Sequence, residues 1–179
     1  NEMRALEIAH ALLHDAEDDT RAELSASNVP GAWDFAGGSA AGWTPVRVTP
    51  DVEFKVVSRP GDADDWAGVV HSAGEGYQGG WCQTLQVEPG NSYLYLMEAK
   101  AELTPGSNAP IAYWDYQRFG RLNARPGFTL RESTDWTFFW RKVVVPASVR
   151  TLSICPALLT NSGAVYFDNV WFLPASSLR

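Results

Sequence analysis

From about residue 32 onward, apolar and polar residues alternate with a period of two, the spacing of a strand with one face buried. The runs 46–48, 52–57, 68–71, 81–87, 92–102, 111–119, 136–145, 150–156 and 164–173 read as strands. Turn pairs separate them: Pro60-Gly61, Gly79-Gly80, Pro89-Gly90, Pro105-Gly106, Pro126-Gly127 and Asn161-Ser162-Gly163. Nine or so strands without a helical crossover pair antiparallel in two packed sheets. Leu85 and Val87 share one strand face and Phe139, Val143 and Val145 another, as two inward faces require. Each aliphatic side chain buried there stabilises the fold by about 1.5–3 kcal/mol.

The first residues have another period. Met3, Leu6, Ala9, Leu12, Leu13, Ala16 and Leu24 recur at helical spacing without Gly or Pro. The opposite side carries Glu7, Asp15, Glu17, Asp18, Asp19 and Glu23. Ser25 to Gly31 breaks the pattern as a linker does. The expected architecture is therefore all-β, a two-sheet antiparallel β-sandwich over residues 28–179, preceded by one amphipathic α-helix with its linker over residues 1–27. The helix must bury its stripe on the domain, on another chain, or in a longer assembly. Self-association or anchoring through it is one expectation. A chain that opens on Asn1 reads as a processed or excised piece.

Composition sharpens the picture. The chain carries 8 Trp, 6 Tyr, 8 Phe, 15 Gly and 11 Pro in 179 residues, more aromatic surface than one core needs. A net charge of −7, with no basic run longer than Arg141-Lys142, excludes nucleic acid as a partner. No apolar segment reaches the length of a membrane span. Cys82 and Cys155 form one disulfide or stand as two buried thiols, and sequence leaves both open.

Trp66 is the most informative residue. It stands in Pro60-Gly61-Asp62-Ala63-Asp64-Asp65-Trp66, an acidic turn-bounded stretch where core packing does not call for an indole. An indole stacks on the C–H face of a pyranose, and adjacent carboxylates such as Asp65 accept bonds from its hydroxyls. The competing reading has Trp66 filling a gap under a loop. The second aromatic group is Ile111 to Phe119. Alternation puts Tyr113, Asp115 and Gln117 on one face, and Trp114, Tyr116 and Arg118 on the other. The expectation is that Trp114, Tyr116 and Arg118 join Trp66; the converse has Trp114 and Tyr116 buried and Tyr113 outward. Trp136 is expected in the core, whereas Phe138, Trp140 and Lys142 face away from Phe139 and Val143.

The motif order resembles the carbohydrate-binding modules of the family 4, 9 and 22 group. It includes Gln83-Thr84-Leu85-Gln86-Val87-Glu88-Pro89-Gly90-Asn91-Ser92-Tyr93, Glu98-Ala99-Lys100-Ala101, and Gly163-Ala164-Val165-Tyr166-Phe167-Asp168-Asn169-Val170, with Arg59 and Trp66-Ala67-Gly68 upstream. The resemblance covers residues 28 to 174. It implies a β-jelly roll that is extracellular or on the cell surface and binds a polysaccharide or oligosaccharide without catalysis. The sugar would lie on aromatic platforms of the concave sheet. It also implies a structural calcium ion held by Asp168, with Asp34 in place of the glutamate that relatives carry in the first strand. Calcium needs six to eight oxygens, so these two alone do not suffice.

Other chemistry finds little support. The Asp62, Asp64 and Asp65 cluster lacks the alternation of a helix–loop–helix calcium site. His10 and His14 lie four apart on the helix with no third ligand nearby, and read as an exposed pair. Gly37-Gly38-Ser39-Ala40-Ala41 misses the final Gly of a nucleophile elbow. The alternative to sugar binding is a structural subunit of a filament, stalk or adhesin that assembles through the sandwich and the helix.

Overall fold

A computed structural model of the chain describes residues 29–31, 33–59, 64–74, 79–106, 108–116 and 124–178. The expected N-terminal helix, His10, His14 and Arg118 lie outside the described residues. Ten strands are present among them: β1 (Thr44–Arg47), β2 (Val52–Ser58), β3 (Trp66–Ser72), β4 (Gly79–Gln86), β5 (Ser92–Leu103), β6 (Ala109–Asp115), β7 (Ala124–Leu130), β8 (Thr134–Val144), β9 (Thr151–Leu158) and β10 (Gly163–Pro174). They form two five-stranded antiparallel sheets. Sheet A runs β1-β4-β9-β6-β7 and sheet B runs β2-β3-β10-β5-β8. This is the two-sheet sandwich that the period-two pattern predicts.

The strand that the pattern missed is β7, because Pro126-Gly127 reads as a turn. It lies instead inside β7, paired to β6 through register shifts. Proline is tolerated there because β7 is an edge strand and one row of its backbone groups needs no partner.

The core fills the space between the sheets. Tyr93, Tyr95 and Met97 of β5 face Leu152 and Ile154 of β9, with Phe172 stacked on Tyr93 at 4.8 Å. At one end Phe35, fully buried, stacks on Trp43 at 5.4 Å and meets Trp81 edge-on at 6.0 Å. Cys82 and Cys155, opposite each other on β4 and β9, are bridged across a Cα–Cα distance of 4.3 Å. Of the two readings that sequence left open, the disulfide is the one found.

Gly68 on β3 explains how Phe35 fits. A Cβ at Gly68 would run into the Phe35 ring, so the strand must stay bare where the ring lies on it. Gly68→Ala forces ring or strand to move, and should destabilise the fold by about 1–3 kcal/mol. The urea midpoint of the variant, at unchanged m-value, measures this.

Candidate functional site

Phe35 also fixes its neighbours in the chain. With the ring buried, Trp33 and Asp34 are held at the rim of sheet B. The Asp34 carboxylate accepts the Ala36 N–H at 3.2 Å, and the Asp34 carbonyl accepts the Trp43 indole N–H at 3.4 Å. Gly37 and Gly38, at φ 64° and 73°, then turn the chain back, and a Cβ at Gly38 would crowd the Trp66 ring at 3.1 Å. Trp66 opens β3, and its ring packs partly on the core and stays half-exposed.

The opposite wall comes from a bulge in β10. Its register against β5 shifts between Asp168 and Trp171, and Asn169 takes a left-handed φ of 47°. A bulge re-aims side chains that regular pairing would send elsewhere. Here Asp168 Oδ1 accepts the Asn169 N–H at 2.7 Å, and Asn169 Nδ2 donates to Glu98 Oε2 at 2.8 Å. The Val170 N–H donates to the Trp33 carbonyl at 2.7 Å, which ties the two walls together. The result is a cleft lined by Trp33, Asp34, Asp64, Asp65, Trp66 and Asp168, with Asn169 beside them. Its volume is about 100 Å³, the share of liquid that about three waters occupy.

Beneath the cleft lies an ion cluster. Arg59, at the end of β2, donates from Nη1 to Asp168 at 2.7 Å and Glu98 at 3.0 Å, and its Nε lies 3.3 Å from Asp65. Its guanidinium covers the Trp136 ring at 3.9 Å, a cation–π contact. The Arg59 N–H also donates to the Asp65 carbonyl at 2.8 Å, pinning both ends of the intervening loop. Burial lowers the Arg59 pKa, but its carboxylate partners more than offset that and hold it above its usual value. Burial pushes the Asp168 carboxyl up to about 7; Arg59 pulls it down and Asp65 pushes it up again.

The expected site residues are thus divided. Trp66, Asp65, Asp34 and Asp168 line one cleft, but Trp114 and Tyr116 do not join them. The strands β1 and β2 face each other across one edge of the sandwich, with Arg47 over Phe54 at 5.7 Å. At the other edge β7 faces β8, with Phe128 and Phe139 5.4 Å apart. Trp66 belongs to the first edge, and Trp114 and Tyr116 to the second. Both rings of the latter pair pack on the core, and the Tyr116 hydroxyl donates to the Val144 carbonyl at 3.1 Å. The converse orientation holds: Tyr113 faces outward on sheet A, its hydroxyl 3.4 Å from Cys82 Sγ. The expected core place of Trp136 is also corrected. It shares the outward face of β8 with Phe138 and Trp140, since alternation binds all three.

A calcium ion does not fit this donor set. Both oxygens of Asp168 are engaged, and three carboxylates converge on a guanidinium that already supplies the positive charge. Among the described residues no group of three or more His, Cys, Asp or Glu is arranged to hold a metal. The contributions of Arg59, Glu98 and Asn169 to the site were missed from sequence. The Arg59 and Glu98-Ala99-Lys100-Ala101 motifs marked two of them without disclosing that they meet.

The fold is shared with solved structures of low sequence identity. One is the enzymatically active domain of the bacteriophage CBA120 tailspike protein 4, at 16% identity and a TM-score of 0.64. The similarity covers 83% of this chain and 21% of that one, so the chain spans about a fifth of its length. Another is the C-terminal family 22 carbohydrate-binding module of Clostridium thermocellum Xyn10B, at 16% identity and a TM-score of 0.63, covering 85% of this chain and 98% of that one. A third is a family 61 module in complex with β-1,4-galactotriose, at 13% identity and a TM-score of 0.53, covering 82% and 98%. No protein-family model matches the chain, and no curated protein matches it in sequence. What these neighbours share with the chain is the fold, a two-sheet β-sandwich also found in solved carbohydrate-binding modules of families 4, 22 and 61.

Three outcomes test this account of the cluster. The native state holds the Asp168 proton up to about pH 7, and the unfolded chain releases it near 3.8. Between these values the native state binds more protons, so this group's contribution to stability falls as pH rises and is level above 7. Asp168→Asn should flatten the urea-midpoint profile between pH 4 and 7. Arg59→Met strands the carboxylates and should cost about 3–5 kcal/mol at pH 8. Calcium or a chelator should leave the wild-type melting temperature unchanged.

Proposed function

We propose that this protein is a non-catalytic carbohydrate-binding module, exported from the cell, that holds part of a polysaccharide or oligosaccharide at the Trp66 cleft. One observation carries the reading. Trp66 stands half-exposed in the wall of a cleft whose other walls are carboxylates and an amide. The ring offers a stacking face to sugar C–H groups, while Asp34 and Asp65 accept bonds from hydroxyls. The indole is held in place by Gly38 behind it and the core beneath it, so little rotamer freedom is lost on binding.

The volume sets the scale. A cleft of about 100 Å³ takes the hydroxyl-bearing edge of a sugar unit and leaves the rest of a chain outside. One stacking ring and a few hydroxyl bonds give affinities of about millimolar to micromolar. A disulfide between β4 and β9 supports export, since such bonds persist in oxidising compartments. The fold neighbours that are themselves binding modules support the absence of catalysis.

The competing reading, an assembly module, gains from one observation. At one end of the outward face of sheet B the partly exposed rings of Trp33, Phe138 and Trp140 pack on Leu94, Leu96, Trp171 and Leu173, as rings at a contact surface would.

Native electrophoresis through gels containing xylan, β-glucan, mannan or pectin separates the two. Retardation in one gel, abolished in Trp66→Ala, is the expected result. Trp114→Ala should keep the retardation and only melt earlier, by the cost of emptying a packed site. Free migration in every gel, or retardation that survives Trp66→Ala, overturns the assignment.

A further inference from the structure

The cleft at Trp66 is one-sided in its charge. Asp34, Asp64, Asp65 and Asp168 line it, and Glu98 stands beneath them. Among the described residues the one cation that meets this group is Arg59, and its charge is used within the protein. Nη1 donates to Asp168 at 2.7 Å and to Glu98 at 3.0 Å, Nε lies 3.3 Å from Asp65, and the guanidinium is laid on the Trp136 ring. Asn169 likewise donates inward, its Nδ2 meeting Glu98 Oε2 at 2.8 Å and Asp168 Oδ2 at 3.2 Å. The charged groups left facing a ligand are therefore acceptors. The protein itself feels the crowding. Burial disfavours the ionised form of Asp168, and the nearby Asp65 charge adds to that.

We propose that the cleft selects its glycan by charge: it takes neutral, hydroxyl-bearing sugar units and turns away acidic ones such as uronates. The inference rests on the assignment of sugar binding to Trp66 and names the class of sugar held there. An acidic sugar is ordinarily met by Arg or Lys, which pairs its carboxylate through charge-assisted bonds. No Arg or Lys stands among the described residues that line this cleft. A ring stacked on Trp66 brings its substituents toward Asp34 and Asp65, which suits hydroxyl protons and opposes a further carboxylate. Neither carboxylate is free to swing aside. Asp34 is held by the Ala36 N–H at 3.2 Å, and Asp65 by Arg59. The magnitude is large enough to select. Two carboxylates about 6 Å from an anionic substituent, screened as in bulk water, weaken its binding about tenfold. A neutral unit keeps its hydroxyl bonds and meets no such penalty, so repulsion contributes to specificity alongside fit.

Matched polymers test it on the full chain at pH 8 and low salt. The neutral polysaccharide that retards the wild-type protein is compared with its hydroxyethyl and carboxymethyl derivatives at equal substitution, so that size is kept and charge alone differs. The hydroxyethyl form should retard as its parent does. The carboxymethyl form should bind about tenfold more weakly, with the gap narrowing in high salt. Asp34→Asn with Asp64→Asn, which keeps shape and one acceptor oxygen at each position, should restore most of the lost affinity. Glu53→Gln with Glu102→Gln removes the same charge from exposed sites elsewhere on sheet B and should restore little. Equal behaviour of the two derivatives, whether retained or lost, overturns the proposal. Recovery in the Glu53 and Glu102 variant does so too, because the charge of the whole chain would then be the cause, and so does retardation by de-esterified pectin. Free migration through every neutral gel is a different failure: it removes the sugar assignment itself, and this inference falls with it.

Discussion

One half-buried cation, Arg59, organises the end of the molecule where function is placed. Arg59 meets carboxylates from β5, from the bulge of β10 and from the loop it begins, and it lies on an indole from β8. Four pieces of chain far apart in sequence are thereby tied to one guanidinium. A planar fork with five donors suits this task where an ammonium would not, since several carboxylates must be met at once. Removing Arg59 is costly because Asp168 and Glu98 lie where water hardly reaches, whereas Asp65 is 39% exposed and can turn to solvent. The side chain of Arg59 is 17% exposed and that of Asp168 only 2%.

The cleft is a consequence of that tie. Asp65 is drawn to Arg59 and so is fixed next to Trp66. The bulge that aims Asp168 downward also opens a gap in sheet pairing, and Trp33 fills the gap by accepting the Val170 N–H. Phe35 seals the arrangement from the core side. A stacking ring with carboxylates held around it is thus obtained from packing and ion pairing, without a metal. Several neighbours of the same fold are carbohydrate-binding modules, and one belongs to a tailspike, so the fold by itself does not decide the activity. The side chains of the cleft carry the functional reading.

Much of the fold was legible because its signals are local. Alternation along β8 separates Phe139 and Val143 from Phe138 and Trp140 without knowledge of any partner strand, and the Pro-Gly and Asn-Ser-Gly turns fix where pairing reverses. The disulfide was not legible, because Cys82 and Cys155 meet only once β4 and β9 are paired. The same limit explains β7, where an edge position makes Pro126-Gly127 compatible with a strand. The site was half legible. Trp66 and Asp65 are adjacent in sequence and announce themselves, whereas Asp34 enters only through the family resemblance, and there as a calcium ligand. Which face of β6 turns inward depends on the shifts in its pairing with β7, so the expectation that Trp114 and Tyr116 face the ligand fails and both rings pack on the core. That Asp168 serves Arg59 comes from the bulge and from Glu98 opposite, neither of which a linear reading provides.

The central claim is that Trp66, and none of the rings on the other edge, meets the sugar. The chain has eight tryptophans, each with an indole N–H that gives its own NMR signal when labelled with nitrogen-15. Titration with an oligosaccharide of the retarding polysaccharide should shift the signals of Trp66 and Trp33 together, saturably, and leave that of Trp114 in place. Shifts centred on Trp114, or on Trp136 and Trp140, with Trp66 unmoved would contradict the account.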